Sequence, residues 1–535
     1  MTILGHHYIG GRRSACASNP PLFSLDAMTG ERHAVSFFEA SGAEVAAAAS
    51  AAHDAFPVYR SLSPARRGAF LEAIADEIDA LDASFVAEAS RETALPAARL
   101  EGERKRTSGQ LRLFGATVRR GDFHGARIDR AQPERKPSPR PDLRQYRIGV
   151  GPVAVFGASN FPIAFSVAGG DTASALAAGC SVVVKAHPGH MVTAEYVADA
   201  IERAIVKTGM PAGTFNMIYG TAAAGAALVQ APEIRAVGFT GSLAGGRALF
   251  DLAQTRPEPI PVFAEMSSVN PVFIMPSALT GRGAQIAREL AASVTTGCGQ
   301  LCTNPGLVLG VRSPEFDAFV SDLREAFEQA LPQAMLGAGI RDNFRHGLAR
   351  LRAVKGVEML VAVKTDGRFG GHLLKADRRA LLEGAALEEE VFGPSTIIVE
   401  LDSEADFHAF ARTMRGQLTA SVLASETDME RNAGLIALLE EKVGRLLFNA
   451  YPTGVEVSDA IVHGGPYPAT TDARGTSVGS VAIERFLRPV CYQGYPDANL
   501  PLALQDANPL NLIRLIDGVP TREAVRAAQI AEATS

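Results

Sequence analysis

The sequence predicts an α/β protein built on a parallel sheet, and three observations carry that reading. From Pro152 onward, short apolar runs at 153–156, 182–184, 215–218, 237–239 and 262–264 alternate with helical segments, as buried parallel strands and their crossovers do. The segment 192–207 carries Val197, Ile201, Ala204 and Ile205 on one face and stops at Gly209, which makes it a crossover helix. A second alternating stretch runs from Val272 to about Asn449, so a second α/β domain is expected. The first alternation has the pattern of a doubly wound sheet of the kind that binds nucleotides.

Ahead of these strands, Phe70, Ile74, Ile78, Leu81 and Phe85 recur at helical steps, and one helix is expected over 64–95, opened by Pro64 and closed by Pro96. The next segment, 127–147, holds seven Lys+Arg and four prolines, a composition that resists helix and interior strand alike. It reads as a solvated, extended excursion, with an anion-binding patch as the alternative.

At 535 residues and 47% hydrophobic, the chain can bury an extensive core in two or three domains. Its 52 Lys+Arg against 58 Asp+Glu give a net charge of -6, too even for nucleic acid or an anionic membrane to be the main partner; a small molecule is favoured. The start, Met1-Thr-Ile-Leu-Gly-His-His, lacks the charged and apolar regions of a signal peptide, and the apolar stretch 167–184 is broken by Gly169, Gly170 and Asp171. A cytoplasmic protein is expected. Cys16, Cys180, Cys298, Cys302 and Cys491 form no regular framework, so disulfides are not.

Three motifs carry chemistry. Gly241-Ser-Leu-Ala-Gly-Gly246 follows the strand ending at Thr240 and precedes a helical run from Arg247; a glycine turn there presents free N–H groups and a positive dipole end to a phosphate. Its spacing is neither a dinucleotide fingerprint nor a P-loop, and read alone it equally fits a tight turn. In Thr296-Gly-Cys298-Gly-Gln-Leu-Cys302-Thr-Asn-Pro305, Gly297 ends a helix and leaves two thiols in a loop, where a thiolate could attack a carbonyl. Read in isolation, either cysteine fits a small buried hydrophobe better than a nucleophile. Glu265, directly after the strand 262–264, stands where a carboxylate could act as a general base for water, although in isolation a surface or capping glutamate is the favoured reading. The His187/His190 pair lacks acidic or thiol company, so no metal is expected.

Together these pieces resemble the aldehyde dehydrogenase superfamily over nearly the whole chain. Four blocks carry the likeness in order and spacing: Val155-Phe-Gly-Ala-Ser-Asn160-Phe-Pro162, Phe239-Thr-Gly-Ser242, Gly299-Gln-Leu-Cys302-Thr and Glu390-Val-Phe-Gly-Pro394. Within it, the segments starting at Gly169, Lys185 and His463 look like the branch that oxidises α-ketoglutarate semialdehyde (2,5-dioxopentanoate). The resemblance implies a Rossmann-like cofactor domain (1–127 and 149–262), an α/β catalytic domain (263–478), a small β extension for oligomerisation (128–148 and 479–500) and a C-terminal tail (501–535). It implies that Cys302 attacks the aldehyde, that Asn160 and the Cys302 N–H hold the oxyanion, and that Glu265 activates water. His463 would tune the thiolate or the water step, or serve a structural role. Lys185 would meet the adenosine ribose; Gly241, Ser242 and the helix N-terminus with Gly246 would face the pyrophosphate; Glu390 would hold the nicotinamide ribose beside Phe392; Phe156, Ser159 and Thr240 would complete the cofactor site.

Two departures modify these expectations. Pro188 stands where NAD-preferring relatives often carry glutamate, so a 2′-phosphate meets no repulsion there, and NADP is expected over NAD. Ser267-Ser268-Val269 replaces a usual Gly-Gly-Lys beside Glu265. The expected product is 2-oxoglutarate, with Arg474 a candidate for the substrate's far carboxylate, and a homodimer or homotetramer is expected, the tail wrapping a neighbouring subunit. The rivals are a fatty or aromatic aldehyde as substrate, a cofactor-independent cysteine esterase, and a non-catalytic scaffold.

Overall fold

A computed structural model describes residues 2–15, 17–365 and 367–525. All five expected strands form one parallel array, in spatial order Val262–Glu265, Ala236–Thr240, Val153–Phe156, Val182–Lys185 and Phe215–Ile218. Helices cover both faces, which is why these strands read as unbroken apolar runs. His7–Ile9 and Arg12–Ser14 extend the sheet antiparallel. Strand order reverses between Val153–Phe156 and Ala236–Thr240, and the crevice beyond the carboxyl ends at such a reversal is where open α/β sheets bind ligands. The crossover helix Met191–Thr208 ends at Gly209, whose φ of 62° supplies the left-handed turn.

The helix expected over 64–95 is two helices, Pro64–Asp79 and Ala83–Thr93. Asp82 accepts the Ser84 N–H and starts the second helix afresh, a local bond that competes with continuing the first. Phe70, Ile74, Ile78, Leu81 and Phe85 are all still buried, because the short turn preserves the phase of the apolar stripe. The helix placed from Arg247 begins earlier, at Leu243, with Ser242 as its N-cap accepting from the Gly245 N–H at 3.2 Å.

The second sheet holds parallel strands Ser395–Leu401, Leu307–Val311, Val272–Ile274, Gln417–Leu423 and Val443–Phe448 as neighbours. Beyond Ser395–Leu401 it continues into Arg368–Asp377, which pairs with Val357–Thr365. The Cys302 loop joins the helix Gly283–Thr295 to the strand Leu307–Val311.

The third sheet runs Leu487–Gln493, Leu143–Gly149, Arg127–Asp129, Arg514–Ile516, Val519–Thr521. The basic segment is therefore not a solvated excursion throughout: Leu143–Gly149 is an interior strand paired residue by residue with Leu487–Gln493. Its prolines precede that strand, and its arginines find carboxylates: Arg130 and Arg140 meet Asp517, Arg144 meets Asp142 and Asp506, and Arg147 meets Glu484. These four arginines are thereby already paired with carboxylates and are not free to bind an anion.

The tail expected to wrap a neighbour folds on its own chain as far as residue 525, adding two strands to this sheet; residues 526–535 lie outside the described residues. Arg514 is fully buried and donates to the carbonyls of Gln505, Asp506 and Glu523 at 2.5, 3.2 and 3.1 Å. Its alkyl and guanidinium groups fill the space that a short apolar side chain would leave between tail and sheet. Arg514→Ala should cost about 2 kcal/mol locally by stripping these bonds, which is about 30-fold in an opening equilibrium. Hydrogen exchange should accelerate by that order at Leu515 and Asp517, whose N–H groups bond Ala126 and Ile128 at 3.0 and 2.9 Å. Unchanged exchange there would show that Arg514 does not hold the tail.

Candidate active site

Past the helix Gly283–Thr295 the backbone turns left-handed at Gly297, Cys298 and Gly299, with φ of 59°, 57° and 62°. A Cβ at Gly299 would stand 2.3 Å from the Gly393 carbonyl, so only glycine lets this loop press against the Glu390–Pro394 segment. Three buried amides then fix it. Asn160 Nδ2 donates to the Gln300 carbonyl at 2.9 Å. Asn270 Nδ2 donates to the carbonyls of Cys302 and Asn304, both at 2.9 Å, and Asn304 Nδ2 donates to Gly393 at 3.2 Å.

The loop separates the two thiols that sequence left open. Cys298 is buried, its sulfur facing the carbonyls of Gln333 and Phe369 at 3.6 and 3.7 Å, and burial pushes its thiol up to about 12. Cys302 is partly exposed and lies with Glu265, Asn160, Ser159, Thr240, Gly241, Ser242, Glu390 and Phe392 around one cavity of about 690 Å³. The expected nucleophile, the expected base and most of the expected cofactor contacts thus share one space.

Glu265 ends its strand inside this cavity. His463 Nε2 lies 2.9 Å from Glu265 Oε1 and 3.4 Å from the Cys302 sulfur, and Ser477 Oγ donates to Glu265 Oε2 at 2.5 Å. Burial pushes the Glu265 carboxyl up, but the facing His463 and the bonds from His463, Ser477 and Cys302 outweigh it, so the group sits below its ordinary range and is ionised at neutral pH. For Cys302, burial and the Glu265 charge act together and hold the thiol well above its ordinary value. Glu390 is lifted to about 8 by burial and by repulsion from Glu265, against a hydrogen bond with Ser267.

The replaced Ser267-Ser268-Val269 segment acquires a structural account. Ser268 Oγ donates to Asn270 Oδ1 at 2.8 Å and to Gln417 at 3.0 Å, and the Val269 N–H meets Gln417 at 2.7 Å. These bonds orient Asn270, which holds the Cys302 loop. Asn270, Gln300, Gln417 and Ser477 were not singled out by sequence, since each acts through a partner far away in the chain.

The crevice fits a dinucleotide at both ends. Near Cys302, Glu390 offers a buried carboxyl and Phe392 an aromatic wall; at the sheet's reversal, the turn from Gly241 caps a helix N-terminus. Gly246, expected to face a pyrophosphate, is buried within that helix, where a Cβ would come 2.6 Å from Met266; its glycine serves packing. Lys185 lies at the far end of the crevice, donating to the Gly220 carbonyl at 3.1 Å, beside Gly225, where a Cβ would crowd Phe156 and Lys185 at 3.1 and 3.4 Å. Phe156 is buried in that wall. Arg474 is not a substrate ligand: it is exposed, and Asp472 holds it through two bonds of 2.8 and 2.7 Å. His187 and His190 stack at 5.0 Å, with His190 Nε2 against the Ala158 carbonyl.

Comparison with known proteins agrees with this geometry. The profile of the aldehyde dehydrogenase family matches residues 24–477. The chain is 53% identical over 522 residues to the alpha-ketoglutaric semialdehyde dehydrogenase of Acinetobacter baylyi, covering 97% of this chain and 99% of that protein. It is 50% identical over 523 residues to alpha-ketoglutaric semialdehyde dehydrogenase 2 of Azospirillum brasilense, with the same coverage of 97% and 99%. The lactaldehyde dehydrogenase structure from Escherichia coli superposes with a TM-score of 0.78 at 20% identity, covering 91% of this chain and 98% of that one. With this fold, a thiol and carboxylate in one cavity at the sheet's reversal, and family matches along its length, the chain is an enzyme of the aldehyde dehydrogenase family.

Proposed function

We propose that the enzyme oxidises α-ketoglutarate semialdehyde to 2-oxoglutarate with a nicotinamide coenzyme, through a thioester on Cys302. The observation that carries this is the shared cavity of Cys302, Glu265, Asn160 and the crevice residues, in a chain half identical over its length to two relatives named for that substrate. The Cys302 sulfur adds to the aldehyde carbon. The developing oxyanion is met by the Cys302 N–H and by the Asn160 amide, whose orientation is set by its bond to Gln300; one such donor is worth about 3 kcal/mol of barrier. When bound, the nicotinamide accepts hydride from the adduct. Glu265 takes the proton from the thiol it is bonded to, releases it to solvent, and as a carboxylate again takes one from the water that cleaves the thioester. His463 and Ser477 keep that carboxylate ionised and aimed.

The far carboxylate of the substrate has a better partner than Arg474. Arg106, on the helix Ala97–Arg120, lies 5.8 Å over the Phe165 ring, itself 6.4 Å from the His463 ring. Its charge acts on Cys302, Glu103, Glu456 and Glu265, its Nη1 donates to the Val455 carbonyl, its Nε is buried without a partner, and no carboxylate forms an ion pair with it among the described residues. Arg445, on the strand Val443–Phe448, also acts on Cys302 through its charge and has an unpartnered Nε, while its Nη1 and Nη2 donate to the carbonyls of Gly454 and Pro452 at 3.1 and 2.8 Å. Two guanidinium groups beside a site that holds Glu265 and Glu390 favour an anionic aldehyde over a fatty or aromatic one. The edge strand Leu487–Gln493 supports a homo-oligomer formed by sheet pairing.

Cys302→Ala should abolish coenzyme reduction, and Glu265→Gln should lower turnover by about 10²–10⁴-fold, the range of a lost general base; aldehyde-dependent formation of reduced coenzyme measures both. Full turnover by either variant would end the thioester reading. Because the Cys302 thiol is raised, its alkylation by iodoacetamide should keep increasing with pH beyond the range of a free cysteine, and Glu265→Gln, which removes a repelling charge, should move the profile to lower pH. A profile unmoved by that change would show that the carboxylate does not act on the sulfur. Arg106→Gln should reduce kcat/KM for the semialdehyde by about 10- to 100-fold, as loss of a charged hydrogen bond does, and barely affect pentanal. Equal losses on both aldehydes would refute the anion site.

A further inference from the structure

The sequence reading of Pro188 rests on no carboxylate standing beside Lys185. The fold supplies one from elsewhere. Glu39, which follows the strand Arg32–Phe38, accepts the Thr221 hydroxyl at 2.5 Å and the Thr221 N–H at 3.1 Å. Thr221 is the N-cap of the helix Ala222–Gln230, so the carboxylate occupies that helix's positive end. Lys185 donates to the Gly220 carbonyl, one residue before, and the Glu39 side chain lies 3.8 Å from where a Cβ on Gly220 would stand. Glu39 and Lys185 attract one another across this turn. Thr221, Ala222, Ala223 and Pro188 are exposed, and Glu39 and Lys185 are only half-buried, so the group is reachable from solvent.

A lysine and a helix N-terminus together are what a phosphate dianion would seek. Here a fixed anion already fills that position, and the bonds from Thr221 keep it charged. We infer that Glu39 is the residue that sets coenzyme choice, rejecting the 2′-phosphate of NADP and leaving the enzyme with a preference for NAD. This rests on the proposed reading of Lys185 as the adenosine-ribose contact, and it reverses the preference expected from Pro188 alone. A ribose 2′-hydroxyl can donate to the carboxylate; a 2′-phosphate is repelled by it and must compete with it for Lys185.

The test is calorimetric binding of NAD, NADP, 5′-AMP and 2′,5′-ADP to the full chain, with kcat/KM for both coenzymes beside it. The unaltered enzyme should bind 5′-AMP more tightly than 2′,5′-ADP and NAD more tightly than NADP; the opposite order overturns the inference without any variant. Glu39→Gln keeps acceptors for Thr221 and removes the charge. It should shift the NADP-to-NAD ratio of binding constants toward NADP by about tenfold or more, the scale of one charge–charge contact near a protein surface. A ratio that stays within about twofold, in a variant whose circular dichroism and melting match the parent, also overturns it. Lys185→Met separates the two readings: if it weakens neither coenzyme, the placement of the adenosine ribose fails; if it weakens both while Glu39→Gln leaves the ratio fixed, that placement stands and the role of Glu39 fails.

Discussion

The arrangement depends on one peptide segment, 299–304, being held in place by buried side-chain amides. Asn270 binds the carbonyls of Cys302 and Asn304, Asn160 binds that of Gln300, and Asn304 reaches Gly393. A loop cannot be buried unless its polar backbone is satisfied, and here the amides that satisfy it come from other segments. Each tie also brings a functional segment to the thiol: Asn160 from the first sheet, Asn270 from just past Glu265, and Gly393 from the Glu390 block. The contacts that allow the loop to be buried therefore also assemble the site.

Electrostatics then give the assembled groups different states. Glu265, with His463 and Ser477 on its two oxygens, is ionised despite burial, whereas Glu390, with only Ser267 to offset burial, is raised to about 8. Two carboxylates in one cavity therefore differ in charge at neutral pH because their hydrogen-bond partners differ. Burial and the same Glu265 charge hold the Cys302 thiol above its ordinary range. Cys298, four residues earlier, has no such neighbours and is simply buried.

The first sheet sets the reach of the site. Its order reverses beside Val153–Phe156, and the loops leaving Phe156 and Thr240 open there, so Ser159, Asn160, Gly241 and Ser242 arrive at the cavity together. Lys185 ends the next strand over and lies further along the crevice, beside the helix whose N-terminus Glu39 occupies. The small third sheet, completed by the tail as far as residue 525, carries no group into the cavity and instead offers a free edge at Leu487–Gln493.

The sequence by itself determined the elements and the reacting groups. Five apolar runs marked five strands, Gly209 marked a helix end, local motifs offered two candidate thiols and Glu265 as a candidate base, and the family resemblance singled out Cys302 and Asn160. Strand burial and helix periodicity are properties of neighbouring residues, so they are written locally. Only the tertiary structure decided which cysteine faces the cavity, that Ser477 and Asn270 serve Glu265 and the Cys302 loop, that Arg474 is exposed and held by Asp472, and that Glu39 brings a carboxylate near Lys185. It also decided that the basic segment 127–147 contributes an interior strand, because its arginines are neutralised by Asp517, Asp506 and Glu484 from the distant end of the chain. Apart from Arg474 with Asp472, these pairings join residues far apart in sequence, and the physical reason they escape a reading of the chain is that the charge or hydrogen bond that fixes a side chain's role depends on distance in space, which local pattern does not encode.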